Sequence, residues 1–197
     1  MGSGHEDDEV RIGVVSDTHG FFDPGLEEIL AGVELILHAG DVDNQRVLDE
    51  LAKIAPVRAV RGNVDPPQLD LPLRAALELE GVQAEILHQL PATQTALEKW
   101  AQHLRVEGIR PRGRDPFLRS FDPNTRLVIF GHSHSPCSFA LVGKLFFNPG
   151  SAGKQRFSLP RTCGLLEVSP HGVEATILSL ERYNRELPKR AWLPVGG

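Results

Sequence analysis

Asp17 and His19 stand two residues apart where an apolar run, Ile12-Gly13-Val14-Val15, gives way to Ser16-Asp17-Thr18-His19-Gly20. A carboxylate and an imidazole side by side are both good donors to a transition-metal ion. Taken alone, the pair reads as a helix cap and an ordinary loop histidine. The pattern recurs, however. Asp41 follows Leu35-Ile36-Leu37-His38-Ala39-Gly40, and Asn63 follows Val57 to Val60 and Arg61-Gly62. His88 closes the run Ala84 to Leu87, and His132 and His134 follow Leu127 to Phe130. Asp17, His19, Asp41, Asn63, His88, His132 and His134 thus make seven donors, three of oxygen type and four imidazoles, each at the exit of an apolar run. Seven donors exceed what one tetrahedral ion takes, and they suit two ions sharing a bridging carboxylate. The bridge must be anionic and bidentate, and Asp41 on the middle strand is best placed. A nitrogen and oxygen set without thiolate suits manganese, iron, zinc, nickel or cobalt better than calcium or magnesium.

The elements that must position these donors follow from periodicity. Strands are expected at Ile12 to Val15, Leu35 to His38 and Val57 to Val60. Between them, Pro24 opens one helix running to about Leu30, and Asn44 caps another with Val47, Leu48, Leu51 and Ile54 at helical spacing. This β-α-β-α-β order implies parallel strands, whose carboxyl ends are where ligands gather in open α/β sheets. Afterwards the pattern turns to hairpins: Leu77 to Leu79 with Ala84 to Leu87, Phe139 to Val142 with Leu145 to Phe147, and Cys163 to Val168 with Val173 to Leu180. A helix is expected from Thr93 to Leu104, then an irregular, arginine-rich segment from Arg105 to Pro123. The tail from Glu181 to Gly197 carries no signal. A parallel half followed by a hairpin-rich half predicts an α/β fold of two packed sheets with helices outside.

Composition narrows the function classes. With 197 residues the chain suits one domain, expected over residues 10–197 after a polar, acidic lead-in over residues 1–9. A net charge of −5 argues against gripping nucleic-acid backbones, so no stable nucleic-acid complex is expected. No apolar run approaches the ~20 residues a membrane span needs, so no membrane partner is expected either. Two cysteines, Cys137 and Cys163, read as thiols of a cytoplasmic protein. Nothing in the composition excludes a homo-oligomer.

In their order, Asp17-Thr18-His19, Gly40-Asp41, Gly62-Asn63, His88 and Gly131-His132-Ser133-His134 resemble the signature of the calcineurin-like metallophosphoesterases. The chain length and the stretch Asn148-Pro149-Gly150-Ser151 resemble the small bacterial and archaeal phosphodiesterase branch. The resemblance implies a two-sheet αββα sandwich and a small phosphoester substrate. It implies one ion on Asp17, His19, Asp41 and His134, and a second on Asp41, Asn63, His88 and His132. Manganese is the leading candidate metal. The implied reaction is hydrolysis of phosphodiesters by a hydroxide bridging the two ions, with Asp41, Asn63 and His132 as catalytic residues. Two other readings are a phosphomonoesterase and a non-catalytic, metal-bound protein-interaction scaffold of the same fold.

The sequence departs from that family at two places. Many members carry a histidine after the asparagine, placed to protonate the leaving group, and here Val64 stands there. Gln89 stands where a glycine often follows the histidine. A valine transfers no proton, so a preference for acidic leaving groups is expected. Asn63 and Arg161 are candidate substrate contacts, and Arg105, Arg110, Arg112, Arg114 and Arg119 a candidate lid over a phosphorylated ligand. His38 is expected in the core, and the Asn148 to Ser151 turn as a buttress to the site.

Overall fold

The computed structural model describes residues 9–107, 116–156, 158–181 and 189–194. The parallel half forms as its pattern dictates: β1 (Val10–Val15), α1 (Gly25–Ile29), β2 (Leu35–His38), α2 (Gln45–Leu51) and β3 (Val57–Ala59). β1 pairs in parallel with β2, and β2 with β3. Then come β4 (Arg74–Leu79), β5 (Val82–Leu87), α3 (Gln94–Glu107), β6 (Leu127–Ile129), β7 (Cys137–Leu141) and β8 (Lys144–Asn148). The described elements end with β9 (Thr162–Ser169), β10 (Gly172–Ser179) and β11 (Lys189–Pro194). Among the described residues no helix is long and apolar enough to cross a membrane.

Two sheets result, ordered β11-β10-β9-β1-β2-β3 and β4-β5-β6-β8-β7. Alternate side chains of each strand enter different layers, as the two-residue period requires. Ile12 and Val14 of β1 meet Ile86, Leu127, Ile129 and Phe147 of the other sheet in the central core. Val15 and Ile36 instead face Leu26, Leu30, Val47, Leu48 and Leu51, which lie in or beside α1 and α2. On the opposite flank Val128, Phe130 and Phe146 pack with Leu97 and Ala101 of α3. Helix, sheet, sheet and helix therefore stack as four layers, the αββα sandwich that the motifs imply.

The division of strands between the sheets differs from the simple two-half expectation. The last hairpin does not stay with its sequence neighbours: β9 runs antiparallel to β1 with Gly13 opposite Leu165. In the second sheet β5, β6 and β8 are mutually parallel, and the expected hairpins add β4 beside β5 and β7 beside β8 at its two edges. The tail also contains a strand, β11, in which Leu193 is buried opposite Val173. Its charged start, Lys189-Arg190, masks the alternation in the sequence. The α3 helix runs on to Glu107, three residues beyond the expected end. The lead-in over residues 1–8 and the middle of the arginine-rich segment, residues 108–115, lie outside the described residues.

Candidate metal centre

At the strand exits the backbone bends sharply. Asp17, His19, Asp41, His132 and His134 all have positive φ, between 48° and 69°. This left-handed region is unfavourable for residues with a Cβ and persists only where the surroundings over-determine it. Here the exits of β1 and β2 are zipped together. Asp17 N–H donates to the Gly40 carbonyl at 3.0 Å, and His19 N–H to the Asp41 carbonyl at 3.0 Å. Close approach explains two glycines. A Cβ on Gly62 would sit 2.0 Å from Asp41 Oδ1, and one on Gly131 would sit 2.0 Å from Ser16 Oγ.

The seven side chains meet in an unbroken circuit of contacts. Asp17 Oδ1 lies 3.3 Å from His134 Nε2, which lies 3.2 Å from His19 Nε2. From His19 Nε2 it is 3.9 Å to Asp41 Oδ2, and from there 3.3 Å to His88 Nε2. Asn63 Oδ1 is 3.0 Å from His88 Nε2 and 2.9 Å from His132 Nδ1. The circuit closes where the His132 backbone N–H donates to the Asp17 carboxylate at 3.1 Å. Donor atoms of Asp17, His19 and His134 lie within 4.8 Å of one another, as do those of Asp17, Asp41 and His88. Ligands about 2.0–2.2 Å from one ion are themselves about 3.0–3.5 Å apart. The donor set and its spacing therefore fit divalent transition metals.

Second contacts fix how the donors point. His88 Nδ1–H donates to the Ala39 carbonyl at 2.7 Å, which turns Nε2 toward Asp41 and Asn63, the orientation a ligand needs. Ser16 Oγ donates to Asp17 Oδ2 at 2.7 Å, and Val64 N–H to Asp41 Oδ1 at 3.1 Å. Burial pushes the Asp17 carboxyl up to about 7, against the favourable charge of His88. Burial also raises Asp41, but the hydrogen bond and charge of His88 more than offset it and hold the carboxyl at about 2. His134 is lowered to about 4 by burial and by the neighbouring His19. Burial likewise lowers His19, helped by Arg156, and His132, helped by His88. Burial pulls His88 down too, yet hydrogen bonding to Asp41 and the charge of Asp17 leave it raised. Three of the four imidazoles thus favour the neutral form, which is the one that binds a metal.

Several supporting residues escaped the sequence reading. Asp65 is buried and accepts backbone N–H bonds from Asp43 at 2.6 Å and Gly62 at 2.7 Å, tying the loop of Asp41 to that of Asn63. Its signal was an acid two residues after the candidate ligand. Gln94 at the start of α3 accepts from Ser133 Oγ at 2.6 Å, while Asn148 Nδ2 donates to Ser133 Oγ at 3.0 Å. The latter bond, with Ser151 Oγ donating to the Asp17 carbonyl at 2.8 Å, makes the 148–151 turn a buttress, as expected. His38 is buried as expected, with Nε2 3.0 Å from Thr18 Oγ1.

Arg161 lies apart from the circuit: its guanidinium pairs with Asp23, its Nε donates to the Gly153 carbonyl at 2.9 Å, and it covers Phe21. Of the expected lid, Arg119 is exposed in a short 3-10 turn. The side chains of Arg105, Arg110, Arg112 and Arg114 lie outside the described residues. Two cavities border the Asn63, His88 and His132 side of the circuit. One, of about 810 Å³, is lined by Gln89 to Thr95 and by Phe130 to Ser133. The other, of about 330 Å³, is lined by Arg61, Gly62, Asn63, Leu73, Arg74, Leu87, His88 and Gln89.

Comparison with known proteins places the fold and the family. A probable metallophosphoesterase of Methanocaldococcus jannaschii is 31% identical over 171 residues, covering 83% of this chain and 76% of the relative. Vacuolar Protein Sorting 29 from Cryptosporidium parvum superposes with a TM-score of 0.68 at 19% identity, over 96% of this chain and 99% of that one. YfcE, a phosphoesterase from E. coli, superposes with a TM-score of 0.62 at 20% identity, over 93% and 100% of the two chains. The calcineurin-like phosphoesterase superfamily domain matches residues 10–171, and the chain belongs to that superfamily.

Proposed function

We propose that this chain is a dinuclear metal-dependent phosphodiesterase, with residues 10–197 acting as a single domain. The observation that carries this reading is the place of Asp41 Oδ2, 3.9 Å from His19 Nε2 and 3.3 Å from His88 Nε2. One carboxylate thereby faces both halves of the donor circuit. Asp17, His19, His134 and Asp41 would hold one ion, and Asp41, Asn63, His88 and His132 the other. Two such ions, with manganese preferred over iron, zinc, nickel or cobalt, supply a water nucleophile active at neutral pH and positive charge for the phosphoryl oxygens.

The chain's own residues do the rest. Asn63 turns Oδ1 to His88 and His132, which leaves its amide N–H₂ to donate to a phosphoryl oxygen. Asp41, Asn63 and His132 therefore act as the catalytic residues. Val64 is 48% exposed beside them and offers the leaving group no proton. Turnover then depends on how well the leaving group bears its own charge. The thiols of Cys137 and Cys163, both buried, fit a reducing cytoplasm.

The test is a metal-reconstituted assay of bis(4-nitrophenyl) phosphate against 4-nitrophenyl phosphate, with elemental analysis of the same sample. Two equivalents of metal and faster diester hydrolysis are expected. Faster monoester hydrolysis would make the chain a phosphomonoesterase. Two bound ions without hydrolysis would favour the second reading, a metal-bound protein-interaction scaffold. The observation behind that second reading is the apolar Val64 at the mouth of the site.

A further inference from the structure

The cavity of about 330 Å³ beside Asn63 and His88 has an unusual wall. Among the described residues two arginines line it, and no carboxylate does. Arg74 is committed elsewhere: its Nε pairs with Glu85 Oε2 at 3.2 Å, its Nη1 donates to the Ser120 carbonyl at 2.6 Å, and it sits 4.9 Å above the Phe121 ring. Arg61 is different. Its backbone N–H is used by the Pro72 carbonyl at 2.8 Å, but among the described residues its guanidinium has no hydrogen-bond or ion-pair partner. An always-charged fork of donors thus lines the same cavity as Asn63 and His88, with Leu73, 65% exposed, beside it.

The larger cavity, on the His132 side, is lined otherwise. Gln89, Thr93, Gln94, Thr95 and Ser133 give it amide and hydroxyl groups, and among the described residues His132 is its one titratable group. A phosphodiester has two arms, and the two cavities bordering this half of the site offer them unlike surroundings. We infer that the Arg61 cavity takes a substrate arm bearing a second negative charge, a carboxylate or phosphate, and that Arg61 is the specificity-determining residue that reads it. The inference rests on the phosphoesterase reading for its scissile group. A volume of about 330 Å³ admits an arm the size of a substituted ring, at the lower end of the roughly 300–1,000 Å³ of small-molecule sites.

The test separates binding from turnover. Phenyl phosphate and 4-carboxyphenyl phosphate are titrated calorimetrically into the manganese-reconstituted chain, as wild type, Arg61→Gln, Arg61→Lys and Arg58→Gln. In parallel, KM and kcat are measured for 4-nitrophenyl phenyl phosphate and its 4-carboxyphenyl counterpart. Wild type should bind the carboxylated ligand about tenfold tighter, and KM should follow while kcat stays alike for the two diesters. Arg61→Gln should abolish that preference, Arg61→Lys should keep part of it, and Arg58→Gln, changed on the exposed face of β3, should keep all of it. Melting curves check that each variant is folded. A preference that survives Arg61→Gln, or is absent from wild type, overturns the inference. So does an equal loss for both ligands, which would place Arg61 on the reacting phosphate. Failure to hydrolyse either diester while the Arg61-dependent binding preference persists would sink the phosphodiesterase reading and leave this one standing.

Discussion

Asp65 Oδ2 accepts the backbone N–H of Gly62 at 2.7 Å while its other oxygen accepts that of Asp43 at 2.6 Å. One buried carboxylate therefore clamps the loop after β2 to the loop after β3. Asp65→Ala strands both amides and should lower the unfolding free energy by about 2–4 kcal/mol. Metal affinity should fall roughly 10–100-fold, as it does when groups behind a ligand are lost. Urea unfolding and a metal titration measure the two effects. Normal stability and affinity would show that the clamp is dispensable.

Asp41→Asn keeps the shape of the shared carboxylate but removes its charge and one of its two acceptor oxygens. Metal content should drop from about two equivalents to one or fewer, and diesterase activity by about a thousandfold. Elemental analysis beside the aryl diester assay reads both. Full activity in this variant would leave the circuit without a catalytic purpose.

Gly62→Ala, at a glycine with ordinary φ, should be far costlier than a change at a left-handed but open glycine. The new methyl would meet Asp41 Oδ1 at 2.0 Å and the Asp41 backbone nitrogen at 2.2 Å, both parts of the site. Gly81→Ala, with φ of 79° and nothing within 4 Å, pays only the backbone preference of about 1–2 kcal/mol. Thermal unfolding of the two variants, with metal content of the first, makes the comparison.

How much of this could be read beforehand follows from where each residue sits. The convergence of the seven side chains was legible because each ends an apolar run, and a strand end is where side chains escape the ladder. Asp65 was not, since its partners are backbone amides of loops that approach only in three dimensions. Gln94 was missed for a related reason: nothing in the pattern of α3 says that its first residue reaches Ser133. Sheet membership was illegible too, because the same alternation in β9 would satisfy either sheet, and only burial against β1 decides it. Arg161 follows a proline near the site and looked available to substrate, but Asp23 and the Gly153 carbonyl occupy it.

His38 should make the metal-free chain sensitive to acid. Burial pulls its pKa from 6.5 down to about 3, so the folded state keeps it neutral while the unfolded state takes up a proton below about 6.5. Its contribution to stability is complete above pH 6.5. As the pH falls toward 3 that contribution is lost, by roughly 1.4 kcal/mol per unit. His38→Gln should flatten the decline of melting temperature across this window. An unchanged slope would assign the acid sensitivity to other groups.

Val64→His should return a proton donor beside Asn63. In wild type the logarithm of the rate should fall steeply as leaving-group pKa rises. The variant should flatten that line and speed alkyl diesters by about 10²-fold, the lower end of what a general acid supplies. Leaving-group plots for the two proteins decide it. A flat line in wild type would mean that some other residue already donates the proton.

The pairing of β1 with β9 sets a schedule for the newborn polypeptide. The strand beside Asp17's own, and the Ser151 hydroxyl that props its carbonyl, are translated more than a hundred residues after Asp17 itself. Such distant pairings close slowly and late. Cations therefore have no finished nest to enter until β9 has been made, and a truncated product that stops before β9 should remain empty-handed however many of the seven donors it already contains.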